Sequence, residues 1–178
     1  MLDRIMGVIT LKAKTYREIA DDKTATGQAA AIVIVMAIIS AVVGAILLVA
    51  LAPSLPAGTA TASPLAFAIR TVINAIISWL IGGWVIAFVS TKFFGGKTDT
   101  GEMLRVFGFA QVFQIIGVIP CLGTIVALVL SLIAAVIGIR EASEFDTTKA
   151  ILTAVVAFVI LLIVGAIISF ILAIFGLV

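Results

Sequence analysis

The chain has 178 residues, 63% of them hydrophobic and 11% charged, with a mean hydropathy of +1.39; a soluble domain carries about 25% charged residues, so a water-borne fold is excluded. Histidine is absent and cysteine occurs once, which leaves little basis for a metal site or for a disulfide framework within the chain. The net charge of +2 decides nothing by itself, but the placement of the charges does.

Residues 1–23, "MLDRIMGVITLKAKTYREIADDK", are amphipathic. Leu2, Ile5, Met6, Ile9, Ala13, Tyr16 and Ala20 share one helical face, with Asp3, Thr10, Lys14, Glu18 and Asp21 opposite. This pattern predicts a helix lying in the membrane interface, kinked near Thr15, where Thr15 and Glu18 form a capping box. The charges of both signs and the long apolar run that follows argue against a cleavable signal peptide.

Five apolar segments follow, at about 27–52, 64–91, 102–119, 124–139 and 148–176. No charge interrupts the chain between Lys23 and Arg70, or after Lys149. Such runs meet the roughly 20 residues a spanning helix needs, and they lack the alternation of barrel strands. The expected fold is therefore all-α: a polytopic membrane bundle of five spans in one domain, 1–178. Ser63 before Pro64, Asp99 before Glu102, and Asp146 predict the starts of segments two, three and five.

Threading five segments places ten of the eleven basic residues and all nine acidic residues on one side. The positive-inside rule makes that side cytoplasmic, with the N-terminus inside and the C-terminus outside. Arg70 alone falls on the other side. About 22 helical steps, or ~33 Å, separate it from Lys92, so the two cations bracket the hydrocarbon and Arg70 reads as an interfacial snorkel.

Asn74 and Ser78 lie one turn apart on segment two, and Gln111 and Gln114 one turn apart on segment three. They are the candidates for a polar interior, either as hydrogen-bonded helix glue or as the lining of a cavity. No Asp, Glu or His lies in a span at depth, which disfavours proton-coupled transport and intramembrane hydrolysis. No enzyme activity and no cofactor are expected. In "VIPCLGT", residues 118–124, Pro120 and Gly123 mark a turn between two short segments. The hairpin is expected to span, with Cys121 near the outer headgroups.

The stretches "GFAQ" (108–111), "IPCLG" (119–123), "REASEFDTTKAI" (140–151) and "YREIADDKTATGQA" (16–29) resemble the prokaryotic branch of the Yip family, the Ypt-interacting proteins. The resemblance implies five spans in the cell membrane of a prokaryote, a cytoplasmic N-terminus, and relatives that act in membrane traffic and associate with Rab-type GTPases and with one another. The long hydrophilic N-terminal region of those relatives has no counterpart here. The function expected is a non-enzymatic membrane scaffold that self-associates in the bilayer and engages a cytoplasmic protein, with no nucleic acid involved. A small permease lined by Asn74, Gln111 and Gln114, and a membrane-shaping protein using the N-terminal helix, are the alternatives. The candidate docking surface is two charged loops: Lys97, Asp99, Glu102 and Arg105 on one, and Arg140, Glu141, Glu144, Asp146 and Lys149 on the other.

Overall fold

A computed structural model describes residues 1–54, 63–119 and 122–174, apart from the side chains of 54, 168, 169 and 171–173. Seven α-helices run in chain order: α1 (Leu2–Ile9), α2 (Ala13–Asp21), α3 (Ala25–Leu51), α4 (Pro64–Phe94), α5 (Thr100–Ala110), α6 (Leu122–Ser143) and α7 (Thr147–Ile174). Short 3-10 segments follow α3 at Ala52–Ser54 and α5 at Gln111–Val118. The protein is a polytopic helical membrane bundle. Its surface carries large aliphatic side chains such as Ile34, Val42, Leu80, Leu128 and Leu162, each more than 40% exposed, as a lipid-facing bundle requires.

The helix starts obey local chemistry. The Ser63 hydroxyl accepts from Ala66 N–H at 3.2 Å, Asp99 from Glu102 N–H at 2.8 Å, and Asp146 from Lys149 N–H at 2.9 Å. Each satisfies an amide that the helix itself leaves without a partner.

Among the described residues four single helices, α3, α4, α6 and α7, are long and apolar enough to cross a membrane. The third expected span is not one α-helix: α5 supplies 11 residues and the 3-10 segment eight more. The helix gives way ahead of Pro120, and Ile119 is already extended at φ −75°, ψ 118°, as a residue before proline must be. The tighter 3-10 winding rises ~2 Å per residue, so α5 and its extension together still measure ~32 Å. Pro120 and Cys121, the turn itself, lie outside the described residues.

This composite element is the centre of the bundle. Met103, Val106, Phe109 and Phe113 are fully buried, with α3 and α4 packed on α5 and α6 against its 3-10 extension. Two glycines permit the approach: a Cβ on Gly108 would lie 2.7 Å from the Ala29 Cβ, and one on Gly138 would lie 2.3 Å from a Val106 methyl. Trp79 Nε1 donates to the Leu104 carbonyl at 2.9 Å, fixing α4 to the same element.

The N-terminal region departs from the sequence expectation. It is two helices rather than one kinked helix, and the break falls at Thr10–Lys12 with Leu11 in the left-handed region at φ 54°. No side chain caps α2, so the capping box expected at Thr15 does not form. Tyr16, Ile19 and Ala20 are buried by packing on α5 and α6. An apolar helical face reads identically whether lipid or protein covers it; here α2 is covered by protein. Only α1 keeps apolar side chains outward, with Leu2, Met6 and Ile9 exposed.

Candidate functional site: the charged end of the bundle

The carboxyl ends of α4 and α6 meet at one end of the bundle. Ser90 Oγ and Ser143 Oγ lie 2.7 Å apart in a buried hydrogen bond, and Lys97 N–H donates to the Ser143 carbonyl at 3.2 Å. The backbone after α4 passes close beneath: Gly96 N–H donates to the Ser90 carbonyl at 2.9 Å, and a Cβ on Gly96 would lie 2.2 Å from Ser90 Oγ.

Glu144 sits at the centre of this end. It closes α6 in the left-handed region at φ 56°, a conformation that costs a side-chain-bearing residue of order 1 kcal/mol. Its carboxylate bridges two elements, accepting from Arg17 Nη2 of α2 at 2.7 Å and meeting Lys97 Nζ of the α4–α5 loop at 3.2 Å. Those contacts, the Arg17 hydrogen bond first and then that of Lys97, hold the Glu144 carboxyl below its ordinary pKa. Arg17 adds a hydrogen bond to the Glu141 carbonyl at 2.6 Å. One arginine thus pins α2 to the end of α6.

Arg105 is the interior counterpart. Expected on the docking surface, it is instead 5% exposed, and it donates through Nε and Nη2 to the carbonyls of Ile19 and Ala20. Those carbonyls belong to the last turn of α2, where the helix dipole favours a cation. Asp22, just beyond, accepts from Thr24 Oγ1 and is paired with Arg4; these contacts lower its pKa to about 2. The Tyr16 hydroxyl donates to the Val8 carbonyl at 3.2 Å, tying α1 to α2. Burial raises the Tyr16 phenol above its ordinary value of 10.

The rest of the two loops faces water. Lys97, Asp99 and Asp146 point outward or cap helices; Arg140 pairs with Glu141 at 2.8 Å; Lys149 lies 5.7 Å from the Phe145 ring centroid. The structure brings the two loops together through Lys97, Ser143 and Glu144.

The polar residues at depth are divided. Gln111 and Gln114 hydrogen-bond to one another, and Gln114 lines a cleft of about 470 Å³ with Ser40, Thr124 and Ser131. Asn74 and Ser78 do not join them. They are exposed on the face of α4 turned away from buried Trp79, Gly83 and Ile86, so they line no interior of this chain.

The sequence matches the Yip1 domain over residues 6–177. The chain belongs to the Yip1 family. No curated protein and no solved structure gives a match. The Yip1 match begins within α1, so α2 and the end of α1 belong to the shared domain, which agrees with the burial of α2 on α5 and α6. Ser90, Ser143 and Arg17 carry much of the geometry of this Yip1 protein's charged end, yet none stood out in the sequence. Serines at helix ends are commonplace, and Arg17 looked like one of several interfacial cations.

Proposed function

We propose that this Yip1-family protein is a non-enzymatic membrane scaffold whose charged end is a ready-made docking platform for a soluble protein. The observation that supports this reading is the Glu144 bridge, which joins α2, the α4–α5 loop and the α6–α7 loop before any partner arrives. A partner then loses little entropy in ordering the surface that it meets. The basic bias of this end supports a cytoplasmic placement, with the C-terminus outside; the prokaryotic cell membrane belongs to the same reading. Self-association within the bilayer belongs to the same reading: Asn74 and Ser78 present polar groups to lipid, and a second copy would satisfy them. The separation of Asn74 from Gln111 and Gln114 weighs against the permease alternative.

Photoreactive side chains placed at Lys97, Asp146 and Lys149 in native membranes test this. A shared protein adduct at all three positions, absent from a lipid-facing control at Val42, is expected. No adduct above that control would refute the docking platform.

A further inference from the structure

A second feature of the charged end lies on its membrane flank. Trp84, Phe88 and Thr91 of α4 face Thr98 and Asp99 of the α4–α5 loop across a notch of about 260 Å³. The Trp84 and Phe88 rings are stacked, with centroids 5.6 Å apart and planes 20° apart, and Phe93 closes edge-on against Phe88 at 6.3 Å. Trp84 is 55% exposed and Phe88 41%, so both rings are open to the surroundings despite stacking on each other. The preceding turn of α4 packs on Leu104 through Trp79 and Gly83, next to the Arg105 that holds α2, so the pair stands at the level of the charged end of the bundle.

The polar side of the notch is acidic. One oxygen of Asp99 accepts from Glu102 N–H, while its carboxylate makes no ion pair among the described residues; the nearby Lys97 is committed to Glu144. A carboxylate facing stacked aromatic rings attracts a cation from both sides, since the ring faces carry negative potential. It disfavours an anion. Lys92 follows Phe88 by one turn on the same helix face and also makes no ion pair among the described residues, which leaves a cation beside the notch for a phosphate.

We propose that this notch binds the headgroup of an amino phospholipid, its ammonium held between Trp84, Phe88 and Asp99 and its phosphate beside Lys92. An aromatic belt at the interface would carry the same rings without choosing among headgroups. Headgroup choice is therefore the property to measure.

The full chain in detergent micelles, offered equimolar dioleoyl phosphatidylethanolamine and dioleoyl phosphatidylglycerol, is read by native mass spectrometry. Wild type is expected to retain the ethanolamine lipid about three- to tenfold over the glycerol lipid. Asp99→Asn removes the charge and keeps the helix cap, because asparagine caps as well as aspartate does. Trp84→Leu keeps an apolar side chain at an exposed position and loses the ring face. Both variants should unfold at the wild-type temperature and retain the two lipids equally. Equal retention by wild type, or a preference that survives both substitutions, would overturn the proposal.

Discussion

Arg105 and Tyr16 show how single side chains tie the N-terminal helices to the bundle. Replacing Arg105 with methionine leaves the Ile19 and Ala20 carbonyls without their donors, and hydrogen bonds from a charged group are worth about 1.5–3 kcal/mol each. Arg105→Met should therefore lower stability by about 2–3 kcal/mol in detergent unfolding. Lysine should recover only part of it, because a single ammonium cannot reproduce the guanidinium fork. Tyr16 is the only tyrosine in the chain, so absorbance at the phenolate band follows it alone. Its raised folded pKa means that the folded state keeps a proton which the unfolded state releases above its ordinary value of 10. Stability must then fall as pH rises past 10, and phenolate absorbance should appear together with unfolding. Ionisation in the intact fold near pH 10 would contradict the burial.

At the scale of elements, close packing on the α5 axis makes a contrast among glycines. Gly108→Ala and Gly138→Ala push a methyl into the Ala29 Cβ and a Val106 methyl, and such overpacking costs about 1–3 kcal/mol. Gly82 has open space where its Cβ would be, so Gly82→Ala should be neutral or mildly stabilising, through helix propensity. Denaturant titration of the three variants separates the cases. Much at this scale was legible in the sequence. Composition revealed the apolar helices, and the caps at Ser63, Asp99 and Asp146 were readable because acceptor and amide lie three residues apart. The 3-10 continuation after Ala110 was not, since "QVFQIIGV" carries no breaker until Pro120. Nor was the fate of Arg105, whose carbonyl partners lie 85 and 86 residues away. The apolar stripe of α2 was found, but a stripe does not say what covers it. Asn74 and Ser78 posed the converse problem: their shared face was plain, and its direction depended on which side of α4 the other helices took.

The whole molecule is a bundle whose charged end is held together by ion pairs, and pH tests that coupling. Glu144 and Asp22 have folded pKa values below their ordinary 4.5 and 3.8, with Asp22 near 2. Groups depressed in this way stabilise the fold fully above their unfolded pKa values, and that contribution is lost as pH falls through the folded ones. The N-terminal helices should thus stay docked at pH 6 and loosen only on acidification below about 4. Glu144→Gln should loosen them at neutral pH. The docking of α1 and α2 on the bundle is the feature on which the charged end depends. Amide hydrogen exchange of the intact protein in nanodiscs at neutral pH measures it. The amides of α2 should be protected to within about tenfold of those of α5, and Glu144→Gln should lower the protection of α2 while leaving α5 unchanged. Exchange of α2 in the wild type at the rate of an undocked peptide would contradict it.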